Sequence, residues 1–182
     1  MPDAPGLELI AQRINEEVPG AVTETAHDHG RATLVVDPEK VLGALGWLRE
    51  TDGQRYTFLS SLHAADYLPA VPRFAVHYEL LNRDRVERVH VKALLPDPGA
   101  GNGNGDSALP EIDSCVEMFP TADFQEREVY DMFGIVFRGH PDMRRILMPE
   151  DYVGWPQRRD FPVGGEPVIF THNEPELPHW YE

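Results

Sequence analysis

Residues 73–95, RFAVHYELLNRDRVERVHVKALL, alternate twice between apolar and other side chains. Phe74, Val76, Tyr78 and Leu80 are separated by polar or small residues, and Val89, Val91 and Ala93 alternate with His90 and Lys92. A period of two puts every second side chain on one side of a strand, so both runs predict strands with one apolar face. Asn82-Arg83-Asp84-Arg85 lies between them and makes the pair a hairpin. Alternation this clean leaves the other face wetter, or covered by another protein.

Working toward the N-terminus, Tyr56 to Leu62 is rich in strand formers and adds a third strand. His63, Asp66 and Tyr67 follow it, a hydrogen-bonded loop end or a polar site. Two short strands, Ala21 to Ala26 and Arg31 to Val36, flank the turn His27-Asp28-His29-Gly30. His27 and His29 lack a nearby third ligand, which favours solvated turn histidines over a metal site. Leu7, Ile10, Ala11, Ile14 and Val18 form a helical stripe that Pro19-Gly20 ends. Asp37-Pro38 opens a second helix with Val41, Leu42, Leu45 and Leu48 inward; Gly43 and Gly46 weaken it, and Gly46 allows close approach to the sheet. The order α-β-β-α-β-β-β predicts an α+β, two-layer domain with helices on one face of a mixed sheet.

This body spans residues 1–96. Residues 97–110, DPGAGNGNGDSALP, read as a glycine and asparagine linker; they lack the lysine and strand-to-helix setting of a phosphate loop. Residues 111–163 form a helix and an extended Pro/Arg-rich arm. Asp123 and Glu126 suggest a capping box, Gly134 a left-handed C-terminus, and Val129, Met132, Phe133 and Val136 an apolar stripe. Arg127 and Asp131, four apart, are expected to pair. Pro141, Pro149, Pro156 and Pro162 then forbid any long regular element. Within the arm, Arg144 and Arg145 lie near Asp142, and Arg158 and Arg159 lie beside Asp160, with Tyr152, Trp155 and Phe161 interleaved. Arginine with large aromatics is the composition of interface hot spots. The tail, 164–182, is kept extended by prolines yet carries apolar residues, so it is expected to lie along a partner.

The net charge of −15 argues against nucleic acid and against direct adhesion to anionic lipid. No signal peptide or bilayer-spanning run is expected. Cys115 is the only cysteine, so neither an intramolecular disulfide nor an iron–sulfur cluster of its own is available; a buried place in a helix is expected for it. Glu126, Glu128 and Asp131, with His140, are the best catalytic candidates. Against them, Glu126 and Glu128 point to different sides of a helix and arginines supply structural counter-charge.

Residues 126–162, EREVYDMFGIVFRGHPDMRRILMPEDYVGWPQRRDFP, closely resemble the signature of the 30 kDa subunit family of respiratory complex I, which supplies the C subunit of bacterial type I NADH dehydrogenase. The resemblance continues more weakly through YTFLSSLHAADY, RFAVHYELLN and RVHVKALLP, from about Tyr56 to Phe161. Phe124 stands where a tryptophan is usual, and Gln157 where a leucine is. The resemblance implies a non-catalytic subunit in the hydrophilic arm of a proton-translocating NADH:quinone oxidoreductase, peripheral on the cytoplasmic face of the cell membrane. Its partners would be the 49 kDa-like subunit that shapes the quinone pocket and the neighbouring subunit that carries the terminal Fe–S cluster. FMN, Fe–S clusters and quinone would belong to partner subunits, with no cofactor or metal in this chain. The implied partner interface is Glu126, Arg127, Asp131, Phe133, His140, Arg144, Arg145, Tyr152, Trp155, Arg158, Arg159, Asp160 and Phe161. Equivalent subunits of membrane-bound hydrogenases or F420-linked dehydrogenases, and a stand-alone carboxylate-dependent enzyme, are the alternatives.

Overall fold

The computed structural model describes residues 1–98 and 108–162. Helix α1 (Ala4–Glu17) starts at Asp3, whose carboxylate accepts from Gly6 N at 2.9 Å, and buries Leu7, Ile10, Ala11 and Ile14. Strands β1 (Val22–Asp28) and β2 (Arg31–Val36) form the first hairpin. A turn of 3₁₀ helix, Pro38–Lys40, leads into α2 (Val41–Glu50). Strands β3 (Phe58–Asp66), β4 (Phe74–Asn82) and β5 (Glu87–Leu95) complete a five-stranded sheet of order β1-β2-β5-β4-β3. Only the β2–β5 pair is parallel, so the sheet is mixed, as expected.

The third strand starts later and runs further than its composition suggests, so His63 and Asp66 lie within it. A register shift between Leu59 and Ser61 explains how Leu59 and Leu62, three apart, both reach the core. The bulge resets the alternation that a regular strand would impose. Close approach occurs at Gly43 rather than Gly46: a Cβ there would lie 3.1 Å from a methyl of Val18.

Beyond the linker, β6 (Glu111–Asp113) and β7 (Val136–Arg138) pair in parallel around α3 (Ala122–Phe133). The glycine- and asparagine-rich stretch 99–107 and the tail from 163 onward lie outside the described residues. Helix α3 rests on β3: Thr121 Oγ1 donates to Leu59 O at 3.0 Å, and Leu62 N donates to the Gln125 side chain. One continuous core joins the three helices, the apolar face of the sheet, Ile112 and Phe137. Cys115 is buried there, in a turn rather than a helix. Among the described residues no helix is long and apolar enough to cross a membrane.

The opposite face of the sheet carries a row of imidazoles. Tyr67 Oη lies 3.3 Å from His77 Nε2, His77 Nδ1 lies 2.8 Å from His90 Nε2, and His90 Nδ1 lies 3.1 Å from Thr33 Oγ1. His63 stacks on His77 with centroids 5.0 Å apart. Burial, helped by the neighbouring imidazoles, Lys92 and Arg31, pushes His77 down to about 3. Burial, Arg31, His63 and Lys92 push His90 down to about 4. Both are therefore neutral in the fold, whereas the unfolded chain protonates them below about 6.5. Their contribution is full above that pH and is lost as pH falls toward the folded values. Urea unfolding at pH 7.5 and pH 5 should show stability falling with acid, and a His77→Asn/His90→Asn variant should lose a measurable part of that slope. An unchanged slope would contradict the neutral, buried assignment.

Candidate functional site

The arm, residues 139–162, has almost no regular structure, and polar side chains take over the work of a backbone ladder. The first anchor is Asp131 on α3, which is fully buried. Its Oδ2 accepts from the successive amides of Ile146, Leu147 and Met148 at 3.0, 2.7 and 2.8 Å, and its Oδ1 accepts from Arg145 Nη1 at 2.7 Å. Burial alone would raise this carboxyl, but the bonds from Met148 N, Arg145, Leu147 N and Ile146 N hold it below its usual range. Arg145 also donates to Gly154 O at 2.9 Å and lies 4.6 Å from the Trp155 ring centroid. The expected Arg127–Asp131 pair does not form, because Asp131 faces inward toward the arm. Arg127 donates instead to the carbonyls of Arg144 and Arg145, at 3.2 and 3.3 Å.

Arg73, 3% exposed and immediately before β4, is the second anchor. Its Nε and Nη2 grip Asp66 at 3.0 and 2.7 Å, Nη1 meets Asp97 at 2.8 Å, and Nη2 also meets Asp160 at 2.7 Å. Asp66 further accepts from the amides of Leu68 and Arg159, both at 2.9 Å. Although burial opposes ionisation, Arg73 and those amides hold Asp66 down to about 2. Asp160 thus binds Arg73 rather than its sequence neighbours. Nothing local marks Arg73, since its arm partner lies 87 residues away.

Between the anchors, Gly134 ends α3 with φ 68°, as its position predicts. The same glycine admits Trp155, for an added Cβ would lie 2.5 Å from the ring. Gln157 N donates to Met132 O at 3.1 Å, and Arg158 Nε to Phe133 O at 2.6 Å, covering carbonyls at the end of the helix. Arg158 is packed over Phe74, 5.0 Å from the ring centroid, and burial and Arg73 lower its pKa. Tyr152 stacks on Phe161 at 6.4 Å.

The capping box is absent. Thr121 occupies the N-cap position but its side chain makes no capping bond to the helix, bonding Leu59 O instead, and Asp123 falls within the first turn. Glu126 is fully buried and accepts from Ser114 Oγ at 2.6 Å and Cys115 N at 2.8 Å; burial dominates and raises its pKa. His140 Nδ1 accepts from Asp142 N at 3.0 Å, which leaves the proton on Nε2 to donate to Asp123 O at 3.1 Å. Arg144 pairs with Asp142 in two bonds of 2.6 and 2.7 Å at the surface, as expected. Phe133 belongs to the core, whereas Arg159 is exposed. Glu126 and Asp131 thus turn their polar atoms into this chain. Phe124, Leu147 and Val153 point outward at 63, 61 and 86% exposure, a feature that charge-based reading of the arm passes over.

The fold and its anchored segment define a small α+β domain whose irregular arm is held in place by the chain's own charges. Residues 34–167 match the family model described as "Respiratory-chain NADH dehydrogenase, 30 Kd subunit", and the chain belongs to that family. It is 41% identical to the NADH-quinone oxidoreductase C subunit of Herpetosiphon aurantiacus over 91% of this chain and 90% of the relative. It is 36% identical to the corresponding C subunit of a Roseiflexus species over 92% and 91%. Among solved structures, it resembles a chain in the membrane-bound sulfane sulfur reductase, an archaeal respiratory membrane complex, with a TM-score of 0.63, 25% identity and 85% of each chain covered.

Replacing Arg73 by Met strands Asp66, whose side chain is 1% exposed, and should cost about 3–5 kcal/mol in urea unfolding. Asp160→Asn removes a partner that is 45% exposed and should cost under about 1 kcal/mol. Equal effects would contradict Arg73 as the buried centre of the network.

Proposed function

We propose that this chain is a structural subunit of the peripheral arm of a proton-translocating NADH:quinone oxidoreductase. It braces the quinone-pocket and terminal-cluster subunits from the cytoplasmic face of the membrane while electrons pass from NADH to quinone. The chain itself performs no chemistry in this reading; FMN, Fe–S clusters and quinone belong to its partners. The NADH-quinone oxidoreductase relatives, matched over nine-tenths of their length, support the assignment to this enzyme.

The observation that carries the bracing role is the division of labour within the arm. Asp131, Asp66 and Arg73 order it from within, and Phe124, Leu147 and Val153 remain outside with no apolar cover among the described residues. A surface ordered before docking loses little conformational freedom when it binds. Arg144, Arg159, Tyr152 and Trp155 add polar and aromatic rim to that surface. Glu126 and Asp131 fit this role better than acid–base catalysis, because their oxygens already accept from donors of this chain. The likeness to a chain of the sulfane sulfur reductase supports a second reading, the equivalent subunit of a related complex with another electron donor or acceptor.

A tagged copy recovered from native membranes in mild detergent should bring an NADH-oxidising flavin subunit, the quinone-pocket subunit and NADH:quinone activity. A Phe124→Ser/Leu147→Ser/Val153→Ser variant should fold normally and recover those partners at least about tenfold less well, given the apolar area withdrawn from the interface. Recovery of a hydrogenase or other input module in place of the flavin subunit would support the second reading. Full recovery by the triple variant would overturn this docking surface.

A further inference from the structure

On the sheet face away from the helices lies a cavity of about 480 Å³ that the assembly role does not use. Arg31, Arg88, His63, His90, Ser60 and Ser61 contribute to its lining, with Glu79 as its one carboxylate. Thr33 pairs with His90 in the parallel β2–β5 ladder, so continuing that register two residues back brings Arg31 beside Arg88. Like charges side by side on adjacent strands repel. Glu79 offers incomplete relief, since it stands 3.6 Å from Arg31, whose side chain is 64% exposed. The Arg88 guanidinium has no hydrogen-bond or ion-pair partner among the described residues.

The remaining polar groups have the right character for an anion. His63 Nδ1 shares a bond of 3.3 Å with Ser61 Oγ, leaving its Nε2 without one. His90 is held on both nitrogens by Thr33 and His77 and serves as a fixed wall. A concave site with two guanidiniums and one carboxylate is out of character for a chain of net charge −15. Paired guanidinium forks match the oxygens of a phosphate better than a point charge would.

We infer that this cavity binds a phosphate group, with Arg31 and Arg88 as its cationic grips and the Nε2 of His63 as a flanking donor, the Ser60 hydroxyl being already given to Glu79 O at 2.9 Å. The acidity of the whole chain favours a free phosphorylated compound over a lipid headgroup as the source. The inference is independent of the proposed assembly, because the arm contributes nothing to the cavity lining.

The test uses the full chain, titrated with inorganic phosphate and with AMP at constant ionic strength while ¹H–¹⁵N shifts are followed. Saturable shifts at His63 and at the Arg31 and Arg88 side chains are expected, weakened at least about tenfold in an Arg31→Gln/Arg88→Gln variant. Both arginines are exposed, so the variant should keep the wild-type circular dichroism; if it unfolds, Arg88→Gln alone is the comparison. In a parallel arm, the chain is sedimented with vesicles of phosphatidylcholine with or without phosphatidylglycerol. Sedimentation that depends on phosphatidylglycerol and on both arginines would keep the phosphate chemistry and reassign its source to lipid. Equal binding by wild type and variant, or no saturable binding in either arm, would overturn the inference.

Discussion

A single buried guanidinium draws the fold together. Arg73 gathers Asp66 from the end of β3, Asp97 from just beyond β5 and Asp160 from the arm. Taking such charges out of water is costly, and only dense mutual bonding offsets that cost. Asp66 meets the demand with two bonds from Arg73 and two from backbone amides. Because the cluster is satisfied only when strand ends and arm are all in place, it favours one position of the arm over alternatives.

Asp131 plays the complementary part at the other end of the arm. Three successive amides converge on one of its oxygens and Arg145 on the other. A proline-rich segment cannot satisfy its backbone in a sheet or long helix, so a buried carboxylate supplies the acceptor that a ladder would otherwise provide. Gly134 connects the two anchors, ending α3 while making room for Trp155. The result is an ordered surface made of irregular chain, which is what a subunit needs in order to dock without refolding. The phosphate cavity lies on the opposite face of the sheet from the helices, and the two surfaces are separable in experiment.

Much of this was legible in sequence, and the losses have physical causes. Alternation in residues 74–80 and 89–93 identified the central strands, and helical stripes identified α1, α2 and α3. Periodicity reports only local geometry, so it missed the bulge at Ser60 and left unassigned the long-range choice of β5 as the neighbour of β2. Spacing of three and four proposed a capping box for Glu126 and a pair for Arg127 and Asp131. Burial overrode both, turning each carboxylate toward donors that lie 11 to 17 residues away. Arg73 was invisible because an arginine before a strand has no local signature. The resemblance in residues 126–162 pointed to the right family and to the right segment. The inward direction of many of its charges, and the outward direction of Phe124, Leu147 and Val153, required coordinates.

The most direct test of the account is hydrogen exchange at the amides of Ile146, Leu147 and Met148 in the free chain. The account predicts strong protection before any partner is present, lost when Asp131 is replaced by Ala. Exchange at the rate of an unstructured peptide in the wild-type chain would contradict it, and would mean that partners order the arm rather than dock onto it.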